Sequence, residues 1–97
     1  MHKEVVYHRA VAYELKESKL AFEEEKRVPI FYKDKRVGFY QPDFAIENRI
    51  VLEIKAVEFL PKDAEDQMYY YLKGTDYEVG LLINFGSRKL DVRRRAY

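Results

Sequence analysis

Two short clusters in the middle of the chain carry residue types able to do chemistry together: Pro42-Asp43 and, ten residues further on, Glu53-Ile54-Lys55. Both sit in stretches that otherwise read as apolar strands. Strand interiors disfavour Asp, Glu and Lys unless one face is wet or employed. Two carboxylates and an ammonium on neighbouring strands could hold a divalent cation and set a water against a phosphodiester.

Side-chain alternation decides whether they meet. In the first strand Tyr40, Pro42, Phe44 and Ile46 share one face, while Gln41, Asp43 and Ala45 share the other. In the second, Ile50, Leu52, Ile54 and Ala56 line the apolar face and Val51, Glu53 and Lys55 the opposite one. A loop of Glu47, Asn48 and Arg49 sets Ile46 against Ile50, Phe44 against Leu52 and Asp43 against Glu53. A loop shorter by one residue would put Asp43 opposite Ile54 and spoil both faces. Like charges on facing residues repel, and Mg²⁺ or Mn²⁺ between the carboxylates removes the conflict. Lys55, one step along on the same face, could orient the water or neutralise charge developing on a phosphate. The competing interpretation is a salt-bridged, solvent-facing patch on a half-exposed sheet.

The elements that must position these groups follow from pattern and punctuation. Residues 2–19 read as a helix, with Val5, Tyr7, Val11, Ala12 and Leu15 at helical spacing. A charged connection over 20–27, with a short strand around Ala21 and Phe22, leads to a strand over Val28–Tyr32. Lys33 to Arg36 reads as a polar turn, and strands follow over Val37–Ile46 and Ile50–Val57. Pro61 opens a second helix ending at Gly74, with Asp63, Glu65 and Asp66 at the positive end of its dipole. Glu78–Phe85, apolar on both faces, reads as an interior strand. Gly86 and Ser87 turn the chain into a last strand near 89–94. The order is α-β-β-β-α-β-β, an α+β fold in the form of an α/β/α sandwich around a mixed sheet.

The totals narrow the class. With 97 residues, 47% hydrophobic and 36% charged, the chain should fold as one domain with its own core. Absence of cysteine excludes disulfides, thiolate zinc sites and cysteine nucleophiles, and fits a reducing, cytoplasmic setting. No apolar run approaches the roughly 18 residues of a membrane span, and Met1-His2-Lys3-Glu4 is not a signal peptide. The net charge of +1 hides an uneven distribution. Glu23, Glu24 and Glu25 form an acidic run, while Arg88, Lys89, Arg93, Arg94 and Arg95 crowd the C-terminal segment, as suits a polyanion or a charged edge strand.

The Asp43 … Glu53-Ile54-Lys55 pattern resembles the motif of the PD-(D/E)xK nuclease superfamily, of restriction-endonuclease-like fold. More closely, the chain resembles the small GxxExxY family within it. Matching pieces are Glu4-Val5-Val6-Tyr7 with Ala10 and Glu14-Leu15, Val28-Pro29-Ile30, Gly38-Phe39-Tyr40, Asp43-Phe44 and Glu53-Ile54-Lys55-Ala56. They continue in Gln67 with Tyr71-Leu72, and from Val79 to Gly86. The resemblance implies a metal-dependent nuclease acting on nucleic acid, DNA ahead of RNA. Asp43, Glu53, the main-chain carbonyl of Ile54 and Glu4 would hold Mg²⁺ or Mn²⁺. Lys55 would assist the water, and Gln67 would support the site from the second helix. The family's leading Gly falls at Met1, and the helix usually found before it is missing.

Other residues carry plainer expectations. Tyr69, Tyr70 and Tyr71 read as packed tyrosines with satisfied hydroxyls, His2 and His8 as surface imidazoles, and Asn84 as a capping or turn residue. Arg88, Lys89 and Arg93 could touch phosphates without sequence preference. Two further readings stand beside the nuclease: a nucleic-acid-binding module without useful turnover, and a structural homodimer built on aromatic helix faces. Cutting both strands of a duplex would itself require a dimer.

Overall fold

A computed structural model of the chain describes residues 3–96. Met1, His2 and Tyr97 lie outside the described residues, and with them the position matching the family's leading Gly and the reading of His2. The elements are helix α1 (Lys3–Glu17), strands β1 (Phe22–Glu24), β2 (Val28–Tyr32), β3 (Lys35–Tyr40), β4 (Phe44–Ile46) and β5 (Ile50–Lys55), helix α2 (Ala64–Lys73), and strands β6 (Val79–Asn84) and β7 (Asp91–Ala96). Five strands form a mixed sheet in the order β1-β4-β5-β6-β7, and β2 with β3 forms a separate two-stranded hairpin. This is the expected α+β sandwich. Among the described residues no helix is long and apolar enough to cross a membrane.

The sheet is apolar on both faces, as a layer between two helices must be. On one face Phe44, Ile46, Leu52 and Ile54 pack beneath Tyr7, Val11, Ala12 and Leu15 of α1. Val5, expected on that stripe, is instead 40% exposed. On the other face Ala45 and Val51 join Leu72 of α2 and Val28 and Tyr40 of the hairpin. The sheet pairing is the one the hydrophobic pattern demanded: Ile46 with Ile50, Ala45 with Val51 and Phe44 with Leu52. The connecting loop is closed by an Arg49 N–H to Ile46 carbonyl bond, with Glu47 and Asn48 both at positive φ. β6 is interior, parallel to β5 and antiparallel to β7.

One expected element is corrected. The continuous strand over Val37–Ile46 is two strands in different sheets, broken at Gln41, Pro42 and Asp43. Pro42 cannot donate to a ladder and constrains the residue before it, so the chain leaves one sheet there and enters another. Side-chain parity is lost across the break. Tyr40 packs with Ala45 and Val51, not on the face of Phe44 and Ile46.

Beyond the ends of β5 and β6 the backbones are locked together by the buried Asn84. Its Oδ1 accepts from the N–H groups of Val57 (3.1 Å) and Gly86 (3.1 Å), and its Nδ2 donates to the Val57 carbonyl (2.9 Å). Gly86 lies so close to Ala56 and Val57 that any Cβ would run into their backbone. Asn84 is thus the turn residue its sequence position suggested. Its removal strands buried donors and an acceptor, each costing about 1–3 kcal/mol. Asn84→Ala should therefore lower unfolding free energy by about 3 kcal/mol, seen as an earlier midpoint in urea denaturation.

Candidate active site

Asp43 follows Pro42 in the gap between the two sheets, and three contacts fix it. Its carbonyl accepts from the Glu25 N–H at 3.0 Å. Its Oδ2 accepts from the Ile54 N–H at 2.6 Å, where β5 runs past the last rung of β4. Its Oδ1 lies 3.7 Å from His8 Nδ1. In an antiparallel pair a residue's N–H and C=O face the same edge, so the Ile54 carbonyl also belongs to the Asp43 side of β5. The Gln41 amide donates to the Glu25 carbonyl at 2.8 Å and completes the tie between the break and the end of β1.

Glu53 stands one rung beyond the Phe44–Leu52 pair and Lys55 one step further along the same face. Burial raises the Glu53 carboxyl above its ordinary value. Asp43 and, more weakly, Glu4 push in the same direction, while Lys55 opposes them. Burial drives the Tyr40 hydroxyl far up as well, reinforced by the negative charge of Glu53. That hydroxyl is buried with no hydrogen-bond partner among the described residues, and the charge of Glu53 acts on it across space. The Tyr40 ring stacks on Tyr71 of α2 at 5.1 Å, which ties α2 to the edge of the site.

Helix α1 supplies the remaining wall. Tyr7 stacks on Phe85 (4.5 Å, 7° between planes), anchoring the first turns of α1 over the end of β6. Glu4 and His8 flank Tyr7 at helical spacing and face a cleft of about 530 Å³ that also takes in Glu24, Glu25 and Asp43. His8 is not the surface imidazole expected. Its ring stacks on Phe44 at 4.4 Å, and its Nε2 meets Glu24 Oε1 at 3.0 Å. The acidic run is likewise employed: Glu24 holds His8, Glu23 pairs with Lys26 at 2.8 Å, and Glu25 holds Asp43 through the backbone.

The structure therefore brings Asp43, Glu53, Lys55, Ile54 and Glu4 to one end of the sheet. Gln67 lies on the same side of α2 as Tyr71, exposed, with its amide 3.5 Å from Asp63 Oδ2. Arg93 is claimed by Asp91 in a two-pronged pair at 3.0 Å, with Glu65 at 3.4 Å, so its charge is largely spent within the fold. Arg88 and Lys89 are exposed in the loop before β7, and Arg88 shares a cleft with Lys3, Ala56 and Gly86 beyond the end of β5. Of the three tyrosines, Tyr69 is partly buried as expected, but Tyr70 is 73% and Tyr71 47% exposed.

The donor set fits a hard cation. Glu53 is a half-buried carboxyl that feels the charge of a second carboxylate, Asp43, an arrangement a bound cation would relieve. Both ligands are oxygens, and the Ile54 carbonyl adds a third of the same kind. Among the described residues no three acidic or imidazole side chains converge into a closed cage.

The chain belongs to the PD-(D/E)XK nuclease superfamily, whose family model matches residues 1–95. Its fold is similar to that of an alkaline exonuclease from Laribacter hongkongensis, with a TM-score of 0.64 at 14% sequence identity. The match covers 99% of this chain and 59% of the exonuclease, so the chain spans little more than half of that protein's length. At that identity the likeness is one of fold. Among curated proteins none matches the sequence.

Proposed function

We propose that the chain is a metal-dependent nuclease of the small GxxExxY family, one cytoplasmic domain that hydrolyses phosphodiester bonds, in DNA ahead of RNA. The observation that carries this reading is Asp43 held at 2.6 Å by the Ile54 N–H beside Glu53, with Lys55 on the same face. Asp43, Glu53, the Ile54 carbonyl and Glu4 are the groups that would hold Mg²⁺ or Mn²⁺. A divalent ion there would polarise the scissile phosphate and acidify a water.

The protein's own residues supply the rest. The Ile54 N–H and the His8–Glu24 pair keep Asp43 in one orientation before substrate arrives, so little reorganisation remains for the reaction. Lys55 presents a localised positive charge on the Glu53 face, suited to orienting water and countering charge on the phosphate. Burial keeps the Tyr40 hydroxyl protonated beside the charge of Glu53. Gln67 supports the site from α2, and Arg88 with Lys89 and, to a lesser degree, Arg93 hold backbone phosphates. Each chain carries one such site, so cutting both strands of a duplex would take a homodimer.

The test is cleavage of end-labelled single- and double-stranded DNA and of RNA, with Mg²⁺ or Mn²⁺ and with EDTA. Cutting that needs the metal supports the reading. Salt-sensitive binding with no cutting under any metal would replace it with a binding module.

A further inference from the structure

The hairpin β2–β3 is the largest part of the molecule without a task in the chemistry above. It is fixed at its base, where Val28 and Tyr40 are buried, and along its side, where the Phe31 N–H donates to the Gly74 carbonyl at 2.9 Å. Towards its tip it is exposed and apolar: Phe31 is 45%, Tyr32 63% and Phe39 41% accessible. It is also cationic, with Arg27, Lys33, Lys35 and Arg36 against the single carboxylate of Asp34.

These cations are arranged with the aromatics. The Arg27 guanidinium lies 4.0 Å from the Phe39 ring centroid and that of Arg36 lies 4.8 Å from the same ring. Arg36 is also the cross-strand partner of Phe31, which makes Phe31, Arg36, Phe39 and Arg27 one continuous patch. Two guanidinium groups on one ring repel each other, and among the described residues no carboxylate pairs with either. The basic strand β7 differs, since Glu65, Asp66 and Asp91 neutralise Arg93 and Arg95. An anion seated between Arg27 and Arg36 would relieve the repulsion, and exposed rings beside it offer stacking to unpaired bases.

The patch is near the site along the chain. Phe39 is four residues from Asp43, within about 15 Å even for an extended chain. Arg27 is two residues after Glu25, whose N–H holds the Asp43 carbonyl. Bases inside a duplex are already stacked on one another, so a phosphate-and-ring patch of this kind favours a single strand.

We infer that the β2–β3 hairpin is the binding track for single-stranded nucleic acid, with Arg27 and Arg36 on its phosphates and Phe31 against a base, delivering the strand to Asp43 and Glu53. The inference rests on the nuclease reading for its direction, while binding itself can be tested without turnover. Fluorescence anisotropy in EDTA, with a labelled oligonucleotide of about 20 residues and its matched duplex, reads it directly. The wild type should bind the single strand more tightly than the duplex. Arg27→Gln/Arg36→Gln should weaken single-strand binding about tenfold or more. It should also flatten the log affinity against log salt slope by about 1.4, at about 0.7 for each phosphate no longer neutralised. Phe31→Ala should weaken the single strand more than the duplex, with circular dichroism showing both variants folded. Wild-type affinity in the folded double variant, or a loss found only in Arg88→Gln/Lys89→Gln, would overturn the inference. Hairpin-dependent binding without metal-dependent cutting would remove the nuclease reading and leave the track.

Discussion

Lys55→Ala should cut metal-dependent phosphodiester hydrolysis on the order of 10³-fold while leaving Mn²⁺ affinity unchanged or slightly tighter. The charge of Lys55 acts directly on the Glu53 carboxyl. Removing it takes away a positive group from where negative charge develops, and preorganised groups of this kind contribute factors of about 10²–10³. On the proposed reading the carboxylates would hold the ion, so losing a nearby positive charge should not weaken its binding. The loss should fall on kcat with KM little changed, since the charge is needed most in the transition state. Lys55→Arg keeps the charge but spreads it over a planar fork, and should recover only a small part of the rate. Turnover within threefold of wild type in Lys55→Ala would remove Lys55 from the chemistry.

Glu53→Gln should produce the second large effect, with opposite signs for metal binding and stability. An acid whose folded pKa is raised holds its proton more tightly when folded. Its contribution to stability is present at low pH and is lost as pH rises through the folded value. Burial raises Glu53 in this way, with Asp43 adding to it. In metal-free buffer the variant should therefore melt above the wild type at neutral pH. The gap should close as pH falls towards 4.5, the ordinary value for this carboxyl. Added Mn²⁺ should reverse the order. At one hundred times its dissociation constant a ligand stabilises by about 2.7 kcal/mol, which for a chain of this size raises Tm by about 10–20 °C. The wild type should show that rise and Glu53→Gln almost none. Equal metal-induced shifts in the two proteins would show that the ion sits elsewhere.

The register of β4 against β5 was legible because two faces of the sheet are buried, although the ladder ends at Phe44–Leu52 and the expected Asp43–Glu53 rung is not part of it. A slip of one residue between β4 and β5 would have turned Phe44, Ile46, Leu52 and Ile54 away from α1. Asn84 was legible for a related reason, since a polar residue closing an apolar strand must find its partners at a turn. The break at Gln41, Pro42 and Asp43 was harder to see. Alternation continues through it in the sequence, and Pro42 is also tolerated at the edge of a strand. That break is what frees Asp43 from a ladder and lets its side chain reach the Ile54 N–H.

What the sequence hid is mostly pairing between distant segments. His8 meets Glu24 and Asp43 only because β1 docks on β4 and brings its acidic residues under α1. Arg93 and Arg95 read as free cations because Glu65 and Asp66 belong to α2, far away in the chain. The hairpin shows the reverse case. Arg27 and Arg36 looked ordinary beside the C-terminal arginines, yet they share one aromatic ring and no carboxylate pairs with either among the described residues.

Calorimetric titration of Mn²⁺ into the wild type and Asp43→Ala, run beside cleavage of labelled single-stranded DNA, tests the central claim most directly. Asp43 is held by the Ile54 N–H, the Glu25 N–H and His8, and on the proposed reading its side chain would join Glu53 in capturing a cation. The wild type should bind Mn²⁺ and cut the strand, and Asp43→Ala should do neither while remaining folded. Wild-type protein that takes up no Mn²⁺, or a folded Asp43→Ala that still binds metal and cuts, would contradict a metal nuclease centred on Asp43 and Glu53.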